Sequence, residues 1–203
     1  MNITIIDYGL GNHQSIFNIC YKLGFKAVIS DDEKTILQSD VIILPGVGSY
    51  DKGINNIKSR GLLNILEKGV VKKKIKTLGI CLGAQLMLEK SDEGILNGLG
   101  YVPGRVISFK KSFNKLDIAL PVPNMGWRYV EWKGKKTDPK ERYYFVHSYY
   151  MNLNNDKYAT MISQYGFSFV CGYKFENITG FQFHPEKSHI YGFKLLKDYF
   201  ERV

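Results

Sequence analysis

Thr77-Leu78-Gly79-Ile80-Cys81-Leu82-Gly83-Ala84-Gln85-Leu86-Met87-Leu88 decides the fold. Thr77–Ile80 is a short apolar run of strand length, and Leu82–Lys90 reads as a helix that begins at once after it. A strand that passes into a helix through Gly-x-Cys-x-Gly is the βα turn of an α/β sheet. The turn lifts Cys81 to the carboxyl end of the strand, and Gly79 and Gly83 let strand and helix close around it. At a helix N-terminus the thiol meets unpaired N–H groups and the positive end of the dipole, which favour thiolate. The N–H of Leu82 points where an oxyanion would form. An isolated cysteine would read as one more buried thiol, as Cys20 and Cys171 do; the two glycines and the strand–helix context make Cys81 a nucleophile.

Working outward, Asn2–Ile6, Lys26–Ser30 and Val41–Leu44 are further short strands. Helical spacing covers His13–Leu23, closed by Gly24, and Tyr50 to about Val71, broken near Gly61. Strands alternating with helices imply right-handed βαβ units and a parallel sheet. The second half changes character. Tyr101–Phe109, Gly126–Trp132, Tyr143–His147, Tyr158–Ser163, Phe169–Phe175 and Thr179–Phe183 are strand-like runs separated by Gly, Asn and Pro, as antiparallel additions would be. His189–Val203 closes as an amphipathic helix. No linker, repeat or low-complexity tract interrupts 1–203, which reads as a single domain.

A cysteine nucleophile needs a histidine within reach and a group that orients it. Phe181-Gln182-Phe183-His184-Pro185-Glu186 offers both. Pro185 biases His184 to extended geometry, in which His184 and Glu186 project to the same side. The strand Thr179–Phe183 would deliver them to the carboxyl edge of the sheet beside Cys81. His147 lines a pocket or is a satisfied core histidine; His13 and His189 open helices. Pro45-Gly46-Val47-Gly48 lacks the Lys-Ser/Thr of a phosphate loop, but the N–H of Val47 is a second candidate oxyanion donor. Gly9-Leu10-Gly11 fails as a dinucleotide fingerprint because Gln14 stands at the third glycine. Neither Cys-x-x-Cys nor His-Glu-x-x-His occurs, so no metal site is expected.

Composition narrows the classes. The 203 residues carry a formal charge of +9 and are 44% hydrophobic, enough for a real core. No run approaches the roughly 20 apolar residues of a membrane span, and the N-terminus lacks the basic region of a signal peptide. Three widely spaced cysteines speak for a reducing, cytoplasmic setting. The charge raises a rival class, a basic nucleic-acid-binding module built on Lys72-Lys73-Lys74 and the stretch Lys133 to Lys140. Those runs lack an interleaved aromatic reading face and suit a solvated surface better.

Six segments occur in one order: Asp7-Tyr8-Gly9-Leu10-Gly11-Asn12, Leu44-Pro45-Gly46-Val47-Gly48, Gly79-Ile80-Cys81-Leu82-Gly83-Ala84-Gln85, Gly98-Leu99-Gly100-Tyr101-Val102-Pro103-Gly104, Met125-Gly126-Trp127 and His184-Pro185-Glu186-Lys187-Ser188. With these the chain resembles the class I (triad) glutamine amidotransferases, and within them the glutaminase-subunit type of imidazole glycerol phosphate synthase. The resemblance implies a flavodoxin-like α/β fold, a mostly parallel central sheet flanked by helices, and hydrolysis of L-glutamine to glutamate and ammonia without a cofactor. It implies Cys81, His184 and Glu186 as triad and Val47 and Leu82 at the oxyanion. Gly46, Gly48, Gln85, Ser148 and Tyr149 would bind glutamine. Gly11, Asn12, Trp127 and Lys187 would face a (β/α)8-barrel synthase in a heterodimer that makes imidazole glycerol phosphate and AICAR in histidine biosynthesis. No nucleic acid or membrane is implied. Two residues depart from that subunit type: Ala84, where Met is common, and Asn124, where His is usual. They leave open a paralogue that supplies ammonia to a synthase modifying a surface sugar.

Overall fold

The β-branched run Ile3–Ile6 is completely buried, which an apolar strand achieves only with both faces covered. In this computed structural model, which describes residues 1–202, that strand, β1 (Asn2–Ile6), lies between β2 (Lys26–Ser30) and β3 (Val41–Leu44), parallel to both. Next to β3 come β4 (Lys76–Ile80) and then β12 (Ile178–Phe181), also parallel. Alternation sorts their side chains: Ile3, Ile5, Ile43 and Ile80 fill one core, Ile6, Ile42 and Leu44 the other. Helices α1 (His13–Lys22) and α7 (His189–Glu201) cover the first face. Helices α3 (Tyr50–Ser59), α4 (Leu62–Leu66) and α5 (Leu82–Leu86) cover the second. Asn12 caps α1 by accepting the Ser15 N–H at 3.3 Å, so the chain leaves β1 and enters the helix in one turn.

Beyond β12 the pairings turn antiparallel, apart from one parallel pair in a side branch. β11 (Phe167–Phe175) joins β12 to β10 (Ala159–Tyr165), then β7 (Asn124–Trp132) and β8 (Arg142–His147) follow. That branch, β5 (Lys90–Ser91), the parallel β6 (Gly104–Ser108) and β9 (Tyr149–Leu153), attaches to β11.

Several expected elements differ. The helix after Cys81 stops at Leu86 rather than Lys90, because the chain must turn to bring Lys90–Ser91 into register with Arg105–Val106. The expected strand through Phe109 ends at Ser108, whose hydroxyl accepts from the Lys111 N–H and starts α6 (Phe109–Leu116). The long helix after Tyr50 divides at Gly61 as expected, where φ is +70°; the difference is that α4 continues into a π-helical stretch over Glu67–Lys72. The closing strand ends at Phe181, so Phe183 and His184 lie beyond it. A short helix, α2 (Glu33–Leu37), capped by Asp32, has no counterpart among the expected elements. Of the helix expected over His189–Val203, Val203 lies outside the described residues.

Candidate active site

Cys81 sits between β4 and α5 with φ +50° and ψ −111°, a conformation that an L-residue holds only at a cost of about 1–3 kcal/mol. The surroundings enforce it. The Cys81 N–H donates to the Phe181 carbonyl at 2.7 Å, and the Cys81 carbonyl accepts from Gln85 at 3.1 Å. A Cβ on Gly83 would stand 1.9 Å from the Leu44 carbonyl oxygen, and one on Gly79 2.6 Å from Ala84 Cα. Cys81 is 7% exposed, where Cys20 and Cys171 are fully buried. Burial pushes the Cys20 thiol up to about 12 and the Cys171 thiol well above its ordinary value, so neither is a nucleophile at neutral pH.

His184 follows β12. Its backbone N–H donates to the Tyr144 carbonyl, and its Nδ1 lies 2.8 Å from Glu186 Oε1, with both side chains 1% exposed. The pair forms differently from the extended reading. His184 is extended, but Pro185–Lys187 is a 3₁₀ turn, which the Ser188 hydroxyl tightens by donating to the His184 carbonyl at 2.6 Å. Burial alone would lower the His184 pKa; the charge of Cys81 and the bond to Glu186 override it and hold the imidazole at about 10. Nδ1 is held by Glu186, so Nε2 is the nitrogen that faces the Cys81 side chain.

Cys81, Leu82 and His184 line one cavity of about 390 Å³. Val47 and Gly48 border it from the turn after β3, and Gln85, Ser148 and Tyr149 complete a wall. Gly46, expected among the binding residues, stands just outside the cavity lining, before Val47 and Gly48. A Cβ there would lie 2.4 Å from the Gly83 nitrogen, so Gly46 is bare because α5 presses on it. The Tyr8 hydroxyl donates to the Pro45 carbonyl at 2.5 Å and pins the same turn. Glu93, half-buried, and His147 also line the cavity. Burial raises the Glu93 carboxyl above its ordinary value. No sequence motif marks Glu93; the fold alone brings it in.

A hydrogen-bonded chain supports the wall. Arg128 Nε donates to Asn124 Oδ1 at 3.0 Å, and Asn124 Nδ2 donates to His147 Nε2 at 2.9 Å. His147 Nδ1–H then donates to the Tyr149 carbonyl at 2.7 Å. That carbonyl also accepts from Gln85 Nε2, which reaches Gln182 Oε1 at 3.0 Å, and Gln182 Nε2 points at the Cys81 sulfur at 3.8 Å. Burial lowers the His147 pKa to about 4, with the charges of His184 and Arg128 adding and the Tyr149 carbonyl opposing.

The sequence matches the profile of the glutamine amidotransferase class-I family over residues 4–202. The chain belongs to that family. The amidotransferase is 45% identical to the imidazole glycerol phosphate synthase subunit HisH 2 of Methanococcus maripaludis, over 99% of this chain and 100% of the relative. It is 40% identical to the subunit HisH of Staphylococcus aureus, over 96% and 94%. A solved glutamine amidotransferase from Thermotoga maritima superposes with a TM-score of 0.59 at 19% identity, over 100% of this chain and 84% of that one. That likeness is one of fold.

The remaining expected residues of the amidotransferase lie outside the cavity. Gly11 abuts Pro45, at 3.0 Å from a Cβ placed on it, and Asn12 is the cap of α1. Trp127 is 38% exposed on β7 and packs on His189 and Tyr144, next to the exposed Lys187. Met125, Trp127 and Tyr129 alternate outward along β7 and form an apolar strip on the surface. Among the described residues no group of three or more metal-type side chains converges, and no helix is long and apolar enough to cross a membrane.

Proposed function

We propose that the chain is the glutaminase subunit of an imidazole glycerol phosphate synthase in histidine biosynthesis, with Cys81, His184 and Glu186 as catalytic triad. The observation that carries the reading is the buried His184–Glu186 pair facing the same cavity as the strained Cys81. The names of full-length relatives support the pathway and do not favour the surface-sugar role. The nucleic-acid reading has little support: of its two basic runs, Lys74 pairs with Glu176 and Lys135 lies over the Trp132 ring.

Glutamine enters with its side-chain amide against Cys81. The thiolate adds to the amide carbon, and the carbonyl oxygen becomes an oxyanion beside the backbone N–H groups of Val47 and Leu82. Leu82 is the first residue of α5, so its N–H has no acceptor within the helix. The His184 Nε2 proton passes to the amide nitrogen, the C–N bond breaks, and ammonia leaves a γ-glutamyl thioester. Nε2 then takes a proton from water as the water attacks, and glutamate departs from a regenerated thiolate. Glu186 fixes the imidazole through Nδ1 throughout. Glu93 opposes the α-ammonium of the substrate, and Gly48, Gln85, Ser148 and Tyr149 shape its seat. Sulfur and imidazole supply every bond change, so the route calls for no cofactor.

The ammonia passes to a (β/α)8-barrel partner that docks on the strip Met125–Trp127–Tyr129 and on Gly11, Asn12 and Lys187. The test is glutamine hydrolysis with and without a candidate barrel. Cys81→Ala should abolish turnover, and an electrophilic glutamine analogue should label Cys81 alone. Label on Cys20 or Cys171 refutes the triad; activity that no barrel stimulates refutes the subunit role.

A further inference from the structure

A second cavity, of about 330 Å³, opens between α7 and the sheet and shares no lining residue with the glutamine site. Its mouth carries Lys76 from β4, Lys135 from the β7–β8 loop, Lys174 from β11 and Arg202 after α7. Among the described residues none of these four cations has a carboxylate within 4.0 Å. Two carboxylates also line the cavity; Glu176 is ion-paired with Lys74, which leaves Asp198. Four cations gathered around one hollow repel each other. Burial lowers the pKa of both Lys76 and Lys135, with Lys174 and Arg202 adding to the first and Arg202 to the second.

The inner wall is apolar and aromatic. Phe181 and Leu195 form it, with the rings of Trp132 and Tyr199 at its sides. Lys135 Nζ stands 3.2 Å from the Trp132 ring centroid; Lys76 Nζ stands 4.1 Å from that of Tyr199 and donates to the Tyr199 carbonyl. The Tyr199 hydroxyl is buried beside the Thr179 side chain, another residue of the lining. A hollow of this size with an apolar wall and a few converging charges has the form of a small-molecule site. A phosphomonoester carries between one and two negative charges at neutral pH and several acceptor oxygens, matching the excess of cations.

We propose that this cavity binds a small phosphorylated ligand, its phosphate among Lys76, Lys135, Lys174 and Arg202 and its apolar part against Leu195, Phe181 and the Trp132 and Tyr199 rings. The site adjoins the elements that carry Cys81 but is separate from the glutamine cavity. Lys76 opens β4, the strand that ends at Cys81, and the carbonyl of the lining residue Phe181 holds the Cys81 N–H.

Phenyl phosphate is the minimal probe, with inorganic phosphate and phenol as its two halves. Calorimetric titration of the whole chain should give one saturable site that weakens about tenfold between roughly 50 and 300 mM NaCl, as screening of a charged contact requires. Lys174→Gln and Arg202→Gln replace exposed side chains, leave the core intact, and should each weaken binding about three- to tenfold. Inorganic phosphate should bind more weakly than phenyl phosphate, and phenol should not saturate. Alkylating Cys81 first should leave the affinity unchanged. The proposal fails if no saturation appears by about 10 mM, a dissociation constant that corresponds to under 3 kcal/mol. It also fails if both variants bind as the parent does, if phosphate alone binds as well as phenyl phosphate, or if alkylated Cys81 blocks binding.

Discussion

Glu186→Gln isolates what the buried carboxylate does for His184. The two groups lie 2.8 Å apart and are each 1% exposed, so little solvent screens them. Glutamine keeps the shape and can still accept from Nδ1–H, but it removes the charge. A hydrogen bond to a charged group contributes about 1.5–3 kcal/mol. At about 1.36 kcal/mol per unit, His184 should lose about one to two units of pKa from its value of about 10. In the proposed route His184 is the acid that protonates departing ammonia, so the alkaline limb of kcat/KM should move down by the same amount. The rate at neutral pH should drop about a hundredfold, the lower end for a mis-held general acid–base group. Two assays read this: glutamate release from neutral to strongly alkaline pH in the presence of the barrel partner, and alkylation of Cys81 over the same range in the isolated chain. A variant that is folded by near-ultraviolet circular dichroism, keeps the parent's alkaline limb and retains the parent's rate would refute the assignment of Glu186.

Three further predictions rest on particular contacts. Gly83→Ala places a methyl 1.9 Å from the Leu44 carbonyl oxygen, backbone against backbone, so the elbow must open; denaturant titration should show a loss of about 3 kcal/mol or more, and a loss below about 1 kcal/mol would mean the turn is not held as described. His147 binds its proton at about pH 4 when folded and near 6.5 when unfolded, so its share of stability is complete above 6.5 and is lost as pH falls toward 4. His147→Gln should therefore flatten the fall of unfolding free energy across that window by up to about 1.4 kcal/mol per pH unit, and an unchanged slope would overturn the neutral assignment. Trp127→Ala should weaken stimulation by the barrel more than it raises KM for glutamine; equal losses in both would place Trp127 in the substrate site instead of the interface.

The parallel half of the fold was legible because its strands are short apolar runs and its turns are glycine-marked. The Cys81 elbow was legible for a steric reason: Gly46, Gly79 and Gly83 are all positions where a Cβ meets backbone, so the glycine pattern is the imprint of the packing. What escaped had no local mark. β9 begins one residue after β8, with only Ser148 between, and the change of partner from β7 to β6 happens there; nothing in Tyr149–Leu153 distinguishes that from a loop with an asparagine in it. α6 is a basic segment whose apolar residues Phe109, Phe113 and Leu116 are helically spaced but few. Glu93 belongs to no motif and enters the cavity because Asp51 accepts the N–H groups of Ile95 and Leu96 and ties down its loop.

The arrangement of the site follows from strand direction more than from any single motif. β1, β3, β4 and β12 are parallel, so all four carboxyl ends reach the same edge. That edge receives Gly11 and Asn12 after β1, Val47 and Gly48 after β3, Cys81 after β4 and His184 after β12. Four stretches distant in sequence therefore converge without any of them specifying the others. Gly11, which the family resemblance places on the partner face, lies against Pro45, and Pro45 opens the turn that carries Val47, the proposed oxyanion donor. A partner that pressed on Gly11 would press on that turn, and Tyr8, which holds the Pro45 carbonyl, is its fixed point. If a partner docks there as proposed, it would reach the turn after β3 without any long-range signal, because Gly11 and Pro45 are already in contact.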